Sequence, residues 1–171
     1  MLSTDSDSRA VVRHLTATLA YRAAKVIRGA PPGFGALAFG EQSRTPGRIM
    51  SHLGDLMTWA TTLARGDYLW TAGGSDDWDT EVKRFFERLA DLDRMLADGD
   101  PPVGALERLI QGPLADALWH VGQLAMLRGM AGHPIRPESY ARAEIVAGRV
   151  GLEQAAPGRE YEGDASEVTR S

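Results

Sequence analysis

The stretch PLADALWHVGQLAMLRGMA, residues 113–131, decides how this chain is read. Leu114, Ala117, Leu118, Val121, Leu124, Ala125 and Leu127 surround the axis of a helix, leaving it apolar on nearly every side. A helix of that kind is expected at the centre of a helical domain. Within it, Asp116 and His120 are four residues apart and therefore share one face, one turn from each other. A carboxylate buried there is costly unless something positive holds it. The nearest basic residue of the helix is Arg128, three turns away. A metal ion is the simplest counter-charge.

Upstream of this helix the pattern stays helical. Gly112-Pro113 is expected to break or kink the chain after a short helical piece at about 103–111. Before it, about 78–97 forms a helix with Val82, Phe85, Phe86, Leu89, Leu92 and Leu96 inside. Its solvated side is expected to carry Glu81, Lys83, Arg84, Glu87, Arg88, Asp91 and Arg94. Thr45-Pro46 begins another helix, Thr45 as N-cap and Pro46 at the first helical position, and Arg65-Gly66-Asp67 closes it. Its apolar stripe of Ile49, Leu56, Trp59, Ala60 and Leu63 includes His52. A first helix at about 8–29 buries Val12, Leu15, Leu19, Ala23 and Val26, and the run Gly29-Ala30-Pro31-Pro32-Gly33 stops it. The glycine-rich loop that follows carries Phe34, Leu37 and Phe39 and is expected to pack onto the helices.

Downstream, Gly132-His133-Pro134 ends the decisive helix. A further helix is expected at about 139–154, and the chain beyond Pro157 is polar and expected to be loosely held. There is no strand-like alternation and no internal repeat. The reading is one all-α domain over residues 1–171, an antiparallel four-helix bundle with a short additional C-terminal helix.

Composition narrows the function classes. A net charge of −4 without a Lys/Arg block argues against nucleic acid as a partner. The chain has no cysteine, which excludes disulfides, zinc–thiolate sites and a cysteine nucleophile. No window of about 18 apolar residues is present, so no membrane span is expected. The polar, acidic start lacks the pattern of a signal peptide, and the expected location is cytoplasmic.

Bundle sites are built from side chains projecting inward from facing helices. His52, Asp116 and His120 together read as a metal site of two imidazoles and one carboxylate, with positions open to water or substrate. Such ligands suit Zn, Ni, Fe or Mn. The same spacing also fits a hydrogen-bonded Asp116–His120 pair beside a core histidine. Trp59 shares a face with His52 and is expected either to pack in the core or to wall a pocket. Gln123 lies on the Asp116 and His120 side and is expected to hydrogen-bond a ligand group or a neighbouring helix. His14 borders the apolar face of the first helix, with a weaker case as a fourth ligand. His133 is expected in a solvated loop. Arg128 is expected to pair with a carboxylate or cap carbonyls, and its reading of an anionic substrate stays open.

The segment Thr45-Pro46-Gly47-Arg48-Ile49-Met50-Ser51-His52-Leu53 resembles the second-helix motif of the DinB-like (YfiT-like) superfamily of metal-dependent bundle proteins. The segment His120-Val121-Gly122-Gln123-Leu124, with Leu127-Arg128, resembles that family's second metal motif, commonly His-x3-His-x2-Gln-Leu, and Asp116 stands where its first histidine falls. The resemblance covers most of the chain. It implies an up-down-down-up bundle, often a homodimer, and a divalent metal, commonly nickel or zinc, on His52, Asp116 and His120. It further implies a transferase acting with a low-molecular-weight thiol. A metal-dependent hydrolase, with Asp116, Asp55 or Glu144 as base, is the alternative. So is a non-enzymatic dimeric bundle with a vestigial metal site that binds a ligand or a partner. Residues 140–154 are expected either to cover the site mouth or to make a dimer contact.

Overall fold

The computed structural model describes residues 5–99, 101–102 and 104–161. It is all-α. The helices are α1 (Asp5–Ile27), α2 (Pro46–Ala64), α3 (Trp78–Asp98), the single turn-and-a-half α4 (Ala105–Leu109) and α5 (Ala115–Met130). Among the described residues there is no strand, only an isolated bridge between Glu138 and Glu160. α1 and α2 each pack against both α3 and α5. Their shared core is built on fully buried side chains such as Leu19, Leu53, Leu56, Phe85, Leu89 and Leu109. Truncating one of these leucines to alanine costs about 2–5 kcal/mol, the lost transfer energy plus that of the cavity left behind.

Helix ends follow local chemistry. The Thr45 hydroxyl accepts from the Arg48 amide at 3.3 Å, with Pro46 just inside the helix. The Asp77 carboxylate accepts from the Thr80 amide at 2.9 Å and caps α3. Between α4 and α5 the chain widens into a π turn, Ile110–Leu114, where Gly112 (φ −98°, ψ −106°) leaves helical geometry beside Pro113. The kink that Gly112-Pro113 implies is therefore present, and it sets the direction of α5. Gly47, in the first turn of α2, has a packing role. A Cβ there would lie 2.8 Å from the Asp76 carbonyl oxygen and 2.9 Å from that of Gly35, so only glycine lets both loops rest on α2.

Three expectations are corrected. First, α5 is not enclosed. It packs on α1 and α2, and the face turned away from them leaves Trp119, Met126 and Met130 about 60–70% exposed (69%, 60% and 59%). Apolar character all round a helix records side-chain type, and burial needs neighbours on every side.

Second, Glu81 and Arg84 are not on a solvated face. Glu81 is 1% exposed. Arg84 donates to Glu81 Oε2 at 2.7 Å, to Asp55 Oδ1 at 2.9 Å and to the Ser51 carbonyl at 2.6 Å. Glu81 also accepts from the Ser75 amide and Asp55 from the Gly73 amide. The network ties the 66–77 loop to α2 and α3, which a reading of α3 alone does not reveal.

Third, the helix expected at about 139–154 does not form. One 3-10 turn, Tyr140–Arg142, is all the helical structure there. Gly148 and Gly151 weaken helix within the segment, Pro134, Pro137 and Pro157 flank it, and buried polar contacts hold it instead. Lys25 Nζ lies 2.6 Å from Glu138 Oε2 and 2.7 Å from Glu160 Oε1. The Tyr21 hydroxyl donates to Glu138 Oε1 at 2.6 Å. The Tyr161 amide donates to the Pro137 carbonyl, so the strap closes on itself against α1. The start of the polar tail, through Tyr161, is thus tied down, and its remainder from 162 lies outside the described residues.

Candidate metal centre

α2 supplies His52, and α5 supplies Asp116 and His120 one turn apart. The packing of α2 on α5 brings them together, with one ligand atom from each inside a 4.8 Å span. His52 Nε2 lies 3.5 Å from Asp116 Oδ2, and His120 Nε2 lies 3.4 Å from Asp116 Oδ1. The imidazoles meet edge to face with centroids 4.7 Å apart. Neither His–Asp distance is that of an ordinary hydrogen bond. Each is close to the roughly 3.4 Å between neighbouring ligand atoms around a tetrahedral ion with bonds near 2.1 Å, and the two are made by different oxygens of the Asp116 carboxylate. With one ligand atom from each side chain inside 4.8 Å, two imidazoles and a carboxylate are a donor set that could hold a divalent ion.

Asp116 has a side chain 37% exposed. The argument that a deeply buried carboxylate demands a counter-charge does not hold for it. Convergence of the three donors is the stronger ground. Burial first, then His120 and Arg44, pushes the His52 imidazole below the ordinary histidine value, with Asp116 pulling the other way. A neutral His52 keeps its lone pair available to a ligand.

Gln123, one turn after His120, places Oε1 2.7 Å from His120 Nδ1. An Nδ1–H donating there leaves Nε2 unprotonated and turned toward Asp116, the usual way a ligating imidazole is oriented. Of its two expected roles, Trp59 takes the first and packs partly buried against the core. Trp59 packs edge-on against Trp70 (5.8 Å) and beside Gly112, and it does not line the cleft at the site. Trp70, in the 66–77 loop, lies over His52 with centroids 5.7 Å apart. Trp119 stacks within 13° of the His120 plane while mostly exposed.

A cleft of about 420 Å³ opens on His52, His120 and Gln123. Ile49, Met126 and Leu127 give it an apolar wall, and Ser43 and Arg44 a polar rim. Sequence reasoning missed Trp70, Ser43 and Arg44. The only signals for them are local: Trp70 lies in Tyr68-Leu69-Trp70 inside a polar loop, and Arg44 directly precedes a helix cap.

Other candidates lie elsewhere. His14 and His133 are exposed and outside the cluster. Arg128 is buried and donates to the carbonyls of Val26, Arg28, Gly29 and His133, so it caps the end of α1. Asp55 belongs to the Arg84 network, and Glu144 pairs with Arg149 on the surface. No residue of 140–154 lines the cleft. Comparison with protein-family models, curated proteins and solved structures found no match to this chain. No helix among the described residues is long and apolar enough to cross a membrane.

Proposed function

We propose that this chain is a DinB-like divalent-metal protein, an antiparallel four-helix bundle acting as a metal-dependent transferase with a low-molecular-weight thiol. The observation that carries the metal reading is the convergence of His52, Asp116 and His120 beside an open cleft. Nickel and zinc suit two imidazoles and a carboxylate, as do iron and manganese. A bound divalent ion supplies Lewis acidity that lowers the pKa of a coordinated thiol.

The chain's own residues divide the remaining work. His52 and His120 offer Nε2, Asp116 offers one oxygen toward each imidazole, and Gln123 holds the His120 ring. Ile49, Met126 and Leu127 give the cleft an apolar wall. The absence of cysteine agrees with a nucleophile that arrives with the co-substrate. Hydrolysis is the weaker reading, because Asp55 and Glu144 are engaged elsewhere and leave no carboxylate besides Asp116 as a base. The uncovered apolar face of α5 supports a homodimer.

Elemental mass spectrometry on tag-free protein tests the centre, beside His52→Ala and Asp116→Ala variants. Near-stoichiometric metal in the parent, lost in both variants, is expected. A parent that stays metal-free after incubation with Ni, Zn and Mn leaves a binding module without metal chemistry. Turnover of an electrophile with added thiol, abolished by chelation, is the expected result for the transferase.

A further inference from the structure

Among the described residues Arg44 is a cation without a partner, at the edge of the cleft. It makes no hydrogen bond or ion pair among the described residues. Its neighbours give it none to make. Among the described residues no carboxylate lines the cleft, and the first turn of α2, which follows it directly, carries no acidic side chain. The nearby Arg48 is paired with Asp76, so the two arginines flanking the Thr45 cap differ in what they are free to bind.

The cleft joins three chemistries in a volume of about 420 Å³. His52 and His120 border it with donor atoms for a metal, Ile49, Met126 and Leu127 line it with apolar surface, and Arg44 with the Ser43 hydroxyl edges it with donors to an anion. We propose that the cleft binds a small molecule bearing a carboxylate, held by Arg44 and Ser43, with an apolar body along Ile49, Met126 and Leu127 and a soft head at the histidines. A guanidinium fork matches a carboxylate in two parallel hydrogen bonds. One arginine and one hydroxyl suit a single negative charge, whereas a phosphate dianion ordinarily draws more than one cation. This inference rests on the proposed function for its soft head group. The carboxylate subsite itself depends only on the cleft and Arg44.

The test pairs mercaptoalkanoates of two to five carbons with mercaptoalkanols of the same length. Affinities are measured by saturation-transfer NMR on the full chain, both metal-free and loaded with zinc. At low salt the acids should bind about fivefold tighter than the alcohols, the scale of one partly exposed ion pair. The preference should vanish in Arg44→Gln, persist in part in Arg44→Lys and shrink with added salt. Zinc content should be unchanged in Arg44→Gln, showing an intact fold and centre. Equal binding of acid and alcohol to the parent chain overturns the proposal, as does a preference that survives Arg44→Gln. Acid preference in a chain that takes up no metal sinks the metal reading alone.

Discussion

His52 and Asp116, on different helices, bring Nε2 and Oδ2 to 3.5 Å of each other, while the other oxygen of the same carboxylate lies 3.4 Å from His120. Asp116 thus faces both imidazoles with one oxygen for each. A histidine at this position would present one donor nitrogen to the cluster at a time. The carboxylate also adds a negative charge that the two neutral rings lack.

The hydrogen bond from His120 to Gln123 should set metal affinity. Gln123→Leu removes the acceptor at Nδ1 and frees the ring to turn or change tautomer. Affinity is expected to fall about tenfold or more, with Gln123→Glu retaining it. Competition against a chromophoric chelator reads this directly, and an unchanged Gln123→Leu affinity removes Gln123 from the account.

Tryptophan emission should report metal entry. Trp119 stacks on His120 and Trp70 lies over His52, whereas Trp78 packs on Phe34. Titration with paramagnetic Ni²⁺ is expected to quench emission, with a smaller amplitude in Trp119→Phe and in Trp70→Phe. Trp78→Phe should keep the quenched component. Amplitude unchanged by loss of both Trp70 and Trp119 would place the ion elsewhere, since Trp59, packed on Trp70, is the remaining tryptophan near the centre.

The C-terminal strap should depend on Lys25. Its ammonium holds Glu138, whose side chain is fully buried, and Glu160. Lys25→Met leaves the Glu138 charge unpaired and is expected to cost about 3–5 kcal/mol, with much of it recovered in the Lys25→Met/Glu138→Leu double variant. Urea denaturation of the four members of that cycle measures the coupling.

The same cluster predicts an alkaline limit to stability. Burial lowers the Lys25 pKa, but its bonds to Glu138 and Glu160 more than offset this and leave it raised. Burial, then the hydrogen bond to Glu138, raises that of Tyr21 well above its ordinary 10.0. A folded-state pKa above the unfolded one gives stability that is complete below the unfolded value and lost as pH rises through the folded value. The parent chain should therefore be steady from neutral pH to about 10 and lose stability above it, with a shallower decline in Tyr21→Phe. Equal slopes for parent and variant from pH 9 to 12 would exclude Tyr21 from the effect.

Asp77 gives the opposite sign. Its hydrogen bonds with Thr80 hold its pKa below the ordinary 3.8. Its contribution to stability is present above that value and lost as pH falls through the lower folded one. Asp77→Ala should lower the melting temperature at pH 7. Asp77→Asn, which still caps α3, should stay close to the parent at pH 7 but lack this component of the acid response.

Much of the helical frame was legible because its signals are local. Thr45-Pro46 starts α2 through one side-chain hydrogen bond and a preset φ, and Gly112-Pro113 interrupts the ladder wherever it is placed. The pair Asp116 and His120 was equally legible, since four residues on a helix is one turn. The helix expected at about 139–154 does not form, and what holds the segment is Lys25, far away in the chain. Glu81 was misread for a related reason. A glutamate looks solvated until Arg84 and the Ser75 amide are seen to meet it.

The sequence by itself determined the all-helical character, the ends of α2 and α3, the kink before α5 and three candidate ligands, because propensity, capping and periodicity act over a few residues. Only the tertiary structure decided that His52 reaches Asp116, that Trp70 lies beside His52, that Arg44 has no partner among the described residues at the cleft and that Arg128 is spent on carbonyls at and beyond the end of α1. Each of these depends on how separate elements pack, and packing is settled by the sum of buried contacts across the whole domain, which no single segment encodes.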